Sequence, residues 1–387
     1  MTRVDQKMPS AQTDTPEASR RRFFGRAATA AVAVPLAGIP LIATAQAPIV
    51  FKMQGAWGPN DIFSEMAQQY VTRVNEMSGG RLKIEYLPAG AVVKPFEIID
   101  AVSKGVLDGG HHVSGYWYGK SKVASLFGTG PVSGATPEIG LSWIQAGGGQ
   151  ELWDKLVAKM NLNVVGFFSF PMPSQPLGWF KKSPPKKAKD LAGFKYRTIG
   201  LAADMLQEMG MAVAQLPGGE IVPAMQRGVI DAFEYNNPTS DMRFGAQDVA
   251  KYYSMGSFHQ AQEFFEIIFN KDKFNALPAD LKAVLKYAAE AASTASTALA
   301  HDNYSKDLQA LVVKHKVQVS RTPDDVYKGQ LKAWDTVTAK LEKEVEMFKE
   351  VNDSFKAWSR RVGFYHFTNQ ANYKLAYEHV QKTKLAA

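Results

Sequence analysis

The chain has 387 residues, 45% hydrophobic and 21% charged, which suits about two to three globular lobes with a sizeable buried core. It contains no cysteine, which excludes disulfides, thiolate metal sites and cysteine nucleophiles. The formal charge is +8. Residues 1–45 hold +3 of it (Arg3, Lys7, Arg20, Arg21, Arg22 and Arg26 against Asp5, Asp14 and Glu17), leaving +5. That excess suits attraction of an anion. Without an arginine-rich stripe interleaved with aromatics it does not point to nucleic acid.

Ser19-Arg20-Arg21-Arg22-Phe23-Phe24-Gly25-Arg26 has the twin-arginine pattern, followed by an apolar stretch from Ala27 to Ile42 broken by Pro35, Gly38 and Pro40. That stretch is shorter than the roughly 20 uninterrupted apolar residues a bilayer span needs. Ala43-Thr44-Ala45 supplies the small residues of a cleavage site. A cut after Ala47 would leave Pro48 next to the bond, so cleavage is expected near Ala45 and the mature chain in the periplasm.

The mature chain opens with a short strand at Ile49–Gln54. Asn60 or Asp61 then caps a helix with Ile62, Phe63, Met66, Tyr70, Val74 and Met77 on one face, and Gly79-Gly80 stops it. Leu82–Leu87 alternates as a strand, and a helix from about Pro95 to Lys104 leads to Gly109-Gly110. The strand–helix grammar repeats: strands at Leu162–Phe168, Trp179–Lys181 and Lys195–Thr198, a helix at Ala202–Met209, a strand at Val213–Leu216, a helix around Ile221–Arg227 and a strand at Ala232–Tyr235. This alternation predicts open α/β lobes with largely parallel sheets. From Pro278 onward the chain reads as helix almost throughout, over Asp280–Leu311, Pro323–Phe355 and Asn369–Lys384, with the Ala/Ser/Thr run at 291–299 a closely packed helix.

No catalytic motif is complete. Gly115-Tyr116-Trp117-Tyr118-Gly119-Lys120-Ser121 has its first glycine one residue too close for a phosphate loop, and Gly128-Thr129-Gly130-Pro131-Val132-Ser133-Gly134 puts Pro where backbone amides are wanted. The adjacent His111 and His112 diverge rather than converge on a metal, which favours a core or hydrogen-bonded role.

Several phrases in order resemble the DctP-type family of TRAP transporter receptors, especially the branch that binds 2-oxo acids and lactate. They are Pro88–Val93 with Phe96–Val102, Tyr116–Lys120, Gly147–Trp153, Gln175-Pro176-Leu177-Gly178-Trp179-Phe180, Leu216–Ile221, Gly228–Ala232 and Asn275–Leu281, covering roughly residues 50–300. The resemblance implies a two-lobe periplasmic binding protein of α/β class. In it, lobe I is formed by 46–170 and about 258–285 and lobe II by 171–257. Long connecting helices and a helical C-terminal region, 286–387, pack across the lobes. It implies capture of a small organic-acid anion, delivery to the membrane permease subunits of a TRAP transporter, and, in this branch, a homodimer that exchanges a C-terminal helix.

The resemblance makes Arg197 the ligand arginine; a planar guanidinium matches a carboxylate with two parallel hydrogen bonds, and the plain alternative is a surface arginine at a strand end. Gln175 stands in the family's glutamine position, where its amide can donate to the ligand or its carbonyl can accept; otherwise it is a loop glutamine. Tyr116 and Trp117 either wall the pocket with a hydroxyl and an indole donor or serve ordinary packing. Glu234 matches the acid that holds a metal ion bridging protein and ligand, with Tyr235 contributing its carbonyl; the alternative for Glu234 is an ion pair with Arg197. Where the branch has a second acid, this chain has Gln260, which weakens the electrostatic basis for calcium and favours a monovalent ion such as Na⁺, or none. Asn236, Asn237 and Gln260 suggest a more polar ligand. Two further readings stay open: an exported enzyme on a binding-protein scaffold, told apart by turnover of a bound acid, and a receptor feeding a membrane signalling protein, told apart by its partner.

Overall fold

The computed structural model describes residues 47–385; the export signal and cleavage site expected at 1–45 lie outside the described residues. Two mixed sheets form the framework. The first has the order β2-β1-β3-β10-β4, built from β1 (Ile49–Gly55), β2 (Leu82–Leu87), β3 (Gly109–His112), β4 (Val164–Met172) and β10 (Glu263–Asn270). The second has the order β11-β9-β5-β8-β6-β7, from β5 (Gly178–Phe180), β6 (Lys195–Arg197), β7 (Ala212–Ala214), β8 (Ala232–Phe233), β9 (Tyr252–Met255) and β11 (Gln318–Arg321).

The expectation of largely parallel sheets needs correction. β1, β2 and β3 pair in parallel, as strand–helix–strand units must. β10, however, runs antiparallel to both β3 and β4, and β5 runs antiparallel to both β8 and β9. These are the strands reached by crossing from one lobe to the other at 173–177 and 256–262, so no helical crossover fixes their direction. The short strand β11 also interrupts the C-terminal region read as helical, and adds a parallel edge to β9.

The helix Ile62–Met77 starts where Asp61 accepts a hydrogen bond from the Phe63 N–H, and it buries Ile62, Phe63, Met66, Tyr70 and Val74 while Met77 is exposed at its end. The helix Ala279–Val313 runs unbroken for 35 residues. Its buried stripe of Leu281, Leu285, Ala288, Ala289, Ala292, Ser293, Ser296 and Ala300 is mostly small, which lets it lie close on β4 and on Ile62–Met77. Ser169 Oγ donates to the Ala289 carbonyl at 2.6 Å and lies 2.8 Å from Ser293 Oγ, and the Tyr70 hydroxyl donates to the Leu285 carbonyl at 3.1 Å. The same helix reaches Pro238–Arg243 beyond the second sheet, so it clasps both lobes. Helices Asp324–Glu344, Phe348–Asn369 and Tyr373–Gln381 complete the chain. None of the described helices is long and apolar enough to cross a membrane.

Candidate ligand-binding site

β6 and β8 pair in parallel, with Arg197 level with Phe233, so Arg197 and the next residue after β8, Glu234, emerge together at the carboxyl ends of neighbouring strands. That edge is where open α/β sheets receive ligands. β5 presses against β8 here: Gly178 has φ +107°, and a Cβ on it would collide with the Phe233 carbonyl, so only glycine lets the crossing segment approach this closely.

Arg197 is 1% exposed. Its Nε donates to the Leu216 carbonyl at 2.8 Å, and Nη1 donates to the Glu234 carbonyl at 2.7 Å and to Glu234 Oε1 at 3.0 Å. The ion pair weighed from the sequence therefore exists, but it uses only part of the fork: Nη2 makes no hydrogen bond among the described residues. Glu234 Oε2 is likewise buried and unpartnered. Burial pushes the Glu234 carboxyl up to about 7, with the Arg197 charge opposing.

Both crossing segments meet at this edge. Gln175 Nε2 donates to Gln260 Oε1 at 2.9 Å and to Glu263 Oε2 at 2.8 Å, and Asn236 Nδ2 donates to the same Glu263 oxygen. With the Glu263 carboxyl ionised, these bonds orient the amides, the nitrogen of Gln175 facing two acceptors. Gln175 Oε1 and Gln260 Nε2 are left buried and unpaired. Gln260, which stands where the resemblance puts a metal-ligating acid and was the third candidate metal ligand beside Glu234 and Tyr235, has its oxygen engaged in this orientation and its N–H unpaired.

Glu263 was not anticipated. It is buried, its carboxyl is pushed up to about 8 by burial, and it lies close enough to Glu234 and Arg197 for their charges to act on it. A second buried acid therefore stands three residues beyond position 260. The available signal is the apolar run Phe264-Phe265-Glu266-Ile267-Ile268-Phe269 that follows, which marks a strand buried on both faces with Glu263 at its start.

Tyr116 packs against Phe96 and Trp57, and burial pushes its phenol above the usual range, while the Arg197 charge lowers it and those of Glu234 and Glu263 raise it. It faces the cluster. Trp117 does not meet the expectation of a donor for the pocket: its indole N–H is given to Glu266 Oε2 at 3.0 Å, and Glu266 Oε1 accepts from Trp153 Nε1 at 2.8 Å. His112 joins that network, with Nδ1 3.3 Å from Glu266 Oε2, and His111 sits among Trp57, Phe170 and Phe265. Tyr235 carries its ring 5.8 Å from the Arg197 guanidinium carbon, and its hydroxyl donates to Asp61 Oδ2 at 2.8 Å.

Asp61 belongs to the first lobe and Tyr235 to the second, so this bond closes the cleft. Ser240 Oγ donates to Asp61 Oδ1 at 2.8 Å, and Arg243 donates to the Asn60 carbonyl at 3.0 Å and to Glu65 at 2.7 Å. Elsewhere along the cleft Asp204 accepts from the Tyr118 hydroxyl at 2.6 Å and pairs with Lys122 at 2.5 Å. The lobes are closed over Arg197.

The profile of bacterial extracellular solute-binding proteins of family 7, DctP, matches residues 53–347. This chain belongs to the DctP family of TRAP-type solute-binding proteins. Among curated relatives, this solute-binding protein is 30% identical over 308 residues to a monocarboxylate 2-oxoacid-binding periplasmic protein of a Nostoc species, covering 80% of this chain and 83% of that one. Among solved structures it is similar to a TRAP solute-binding protein of Bordetella bronchiseptica, a mixed-occupancy dimer with copurified calcium and picolinate in one site (TM-score 0.81, 25% identity, 87% of this chain and 99% of that one). It is also similar to a TRAP periplasmic solute-binding protein of Pseudoalteromonas atlantica with bound sodium and pyruvate (TM-score 0.78, 27% identity, 83% and 97%).

Proposed function

We propose that this protein is a periplasmic receptor that grips a small organic-acid anion, a 2-oxo acid, lactate or a related carboxylate, and passes it to a TRAP membrane permease without covalent chemistry. The observation that carries the reading is Arg197: fully buried at the closed interlobe edge, held by two of its nitrogens and left with Nη2 free. A ligand carboxylate completes that fork. Gln260 Nε2 offers a second donor and Tyr116 with Tyr235 walls the space. The moving bodies are residues 46–170 with about 258–285, and 171–257 extended by β11. Contacts to both favour the closed state by differential affinity.

Two buried oxygens, Gln175 Oε1 with no donor and Glu234 Oε2 with only the Thr198 hydroxyl near its carboxylate, with the carboxylate of Glu263 nearby, fit a hard cation, Na⁺ or Ca²⁺. Tyr235 would add its carbonyl. Such an ion offsets the mutual repulsion of protein and ligand carboxylates. Its presence in the relatives with pyruvate or picolinate supports this assignment.

The homodimer rests on the C-terminal helices. Phe364, Tyr365, Phe367, Tyr373, Leu375 and Val380 are all more than half exposed, an apolar face that a second copy of this chain would cover. Light scattering of the purified mature protein should report a dimer.

The test of the receptor reading is a thermal-shift screen of pyruvate, lactate and longer 2-oxo acids with Na⁺ or Ca²⁺. A ligand at 100 times its Kd stabilises by about 2.7 kcal/mol. No shift with any carboxylate in either salt would overturn the reading.

A further inference from the structure

His259 lies in the crossing segment between β9 and β10, fully buried beside Gln260. Its surroundings fix its tautomer. Gln330 Oε1 accepts from the Phe258 backbone N–H at 2.9 Å, so the other end of that amide, Nε2, donates to Ser257 Oγ at 2.6 Å. Ser257 also accepts from the His259 backbone N–H at 3.3 Å. Its own hydrogen therefore goes to His259 Nδ1, 2.7 Å away. With Nδ1 an acceptor, the ring proton sits on Nε2, which is buried and has no partner among the described residues.

An orphaned donor in a dry site is costly, and a hydrogen-bonded chain through Gln330 and Ser257 that places the proton on it calls for a reason. The unpaired nitrogens of His111 offer a contrast. That ring is enclosed by three aromatic side chains, and its only titratable neighbour of note is the equally buried His112. His259 instead adjoins Gln260, whose amide is bonded to Gln175 at the interlobe edge, and the Arg197 charge acts on its ring in addition to burial.

We propose that His259 is a specificity residue of the ligand site, its Nε2–H donating to the uncharged oxygen beside the ligand carboxylate, the 2-oxo or 2-hydroxy group, while Arg197 holds the carboxylate. A neutral imidazole suits a neutral oxygen as the guanidinium suits the charge. An acid lacking that oxygen leaves the N–H unpaired, which is how a buried donor rejects an analogue. This assignment rests on the receptor reading above.

The test compares pyruvate with propionate, which lacks the oxo group, by competition calorimetry on the mature protein in Na⁺ or Ca²⁺. His259→Phe should weaken pyruvate by roughly 10- to 100-fold and propionate by less than about threefold. Ser257→Ala leaves every ligand-facing atom in place but frees the tautomer, and should give a smaller loss with the same selectivity. Equal losses for the two acids, or none, would remove His259 from the site. Long-range ¹H–¹⁵N correlation on histidine-labelled wild type should show the Nε2–H tautomer for the resonance that His259→Phe abolishes; an Nδ1–H tautomer sinks the proposal even if the variants fold poorly. A wild type that binds no organic acid at all brings down the receptor reading and this proposal together, whereas the other outcomes touch His259 alone.

Discussion

Strand β10 carries two buried glutamates three residues apart, and they have opposite characters. Glu266 is closed off: Trp117, Trp153 and His112, all from its own lobe, surround its oxygens. Glu263 takes Gln175 from a crossing segment and Asn236 from the other lobe, and near it Gln175 Oε1, Gln260 Nε2 and Glu234 Oε2 lack partners. Burial pushes both carboxyls up to about 8. A shifted acid is therefore no mark of function by itself. Polar groups left incomplete on both sides of a cleft are the better mark.

The largest effect that would break this contrast is on affinity. Arg197→Ala should weaken binding of a 2-oxo acid by roughly 2–5 kcal/mol, because a desolvated carboxylate is left unpaired, whereas Glu266→Gln should leave the affinity untouched. Calorimetry giving the reverse ranking would exchange the two assignments. Next comes folding: Glu266→Ala strands the N–H groups of Trp117 and Trp153 and should lower the unfolding free energy by about 2–4 kcal/mol in urea titrations. The ligand, once bound, should restore none of the difference between variant and wild type.

A smaller effect should come from the latch. Tyr235→Phe removes the hydroxyl held by Asp61 but keeps the ring over Arg197, so it should cost about 0.5–1.5 kcal/mol of closure and shift small-angle scattering toward an open form. An unchanged scattering profile and affinity would show that Asp61 merely caps its helix. A separate effect, on stability alone, is in pH. Glu266 sits near 8 when folded against an ordinary 4.5, so the folded chain keeps a proton that the unfolded chain releases. Stability from this group is complete below about 4.5 and drains away as pH rises toward 8. Thermal melts across that window should flatten in Glu266→Gln.

Much of this was legible in the residues. The spacing of Ile62, Phe63, Met66, Tyr70 and Val74 sufficed for their helix, and the family resemblance carried by the phrase Gln175–Phe180 pointed to Gln175, Arg197 and Glu234, which the fold brings to one sheet edge. What escaped depends on partners distant in sequence. Nothing local tells that the indole of Trp117 turns to Glu266, 149 residues away. Gln260 was judged by its charge alone, while its role depends on which end of its amide Gln175 engages. β11, four residues long and mostly exposed, has no apolar alternation to betray it, and exists because β9 offers it an edge.

That small strand carries a consequence for how the molecule is assembled. Tyr252 of β9 waits for Gln318 to arrive, and the whole of Ala279–Val313 must be synthesised and laid across the other lobe before it can. The second sheet is thus the last piece to be finished although most of it emerges early. A chain ending near residue 313 would leave β9 as a bare rim, inviting adhesion between molecules rather than a merely shortened protein.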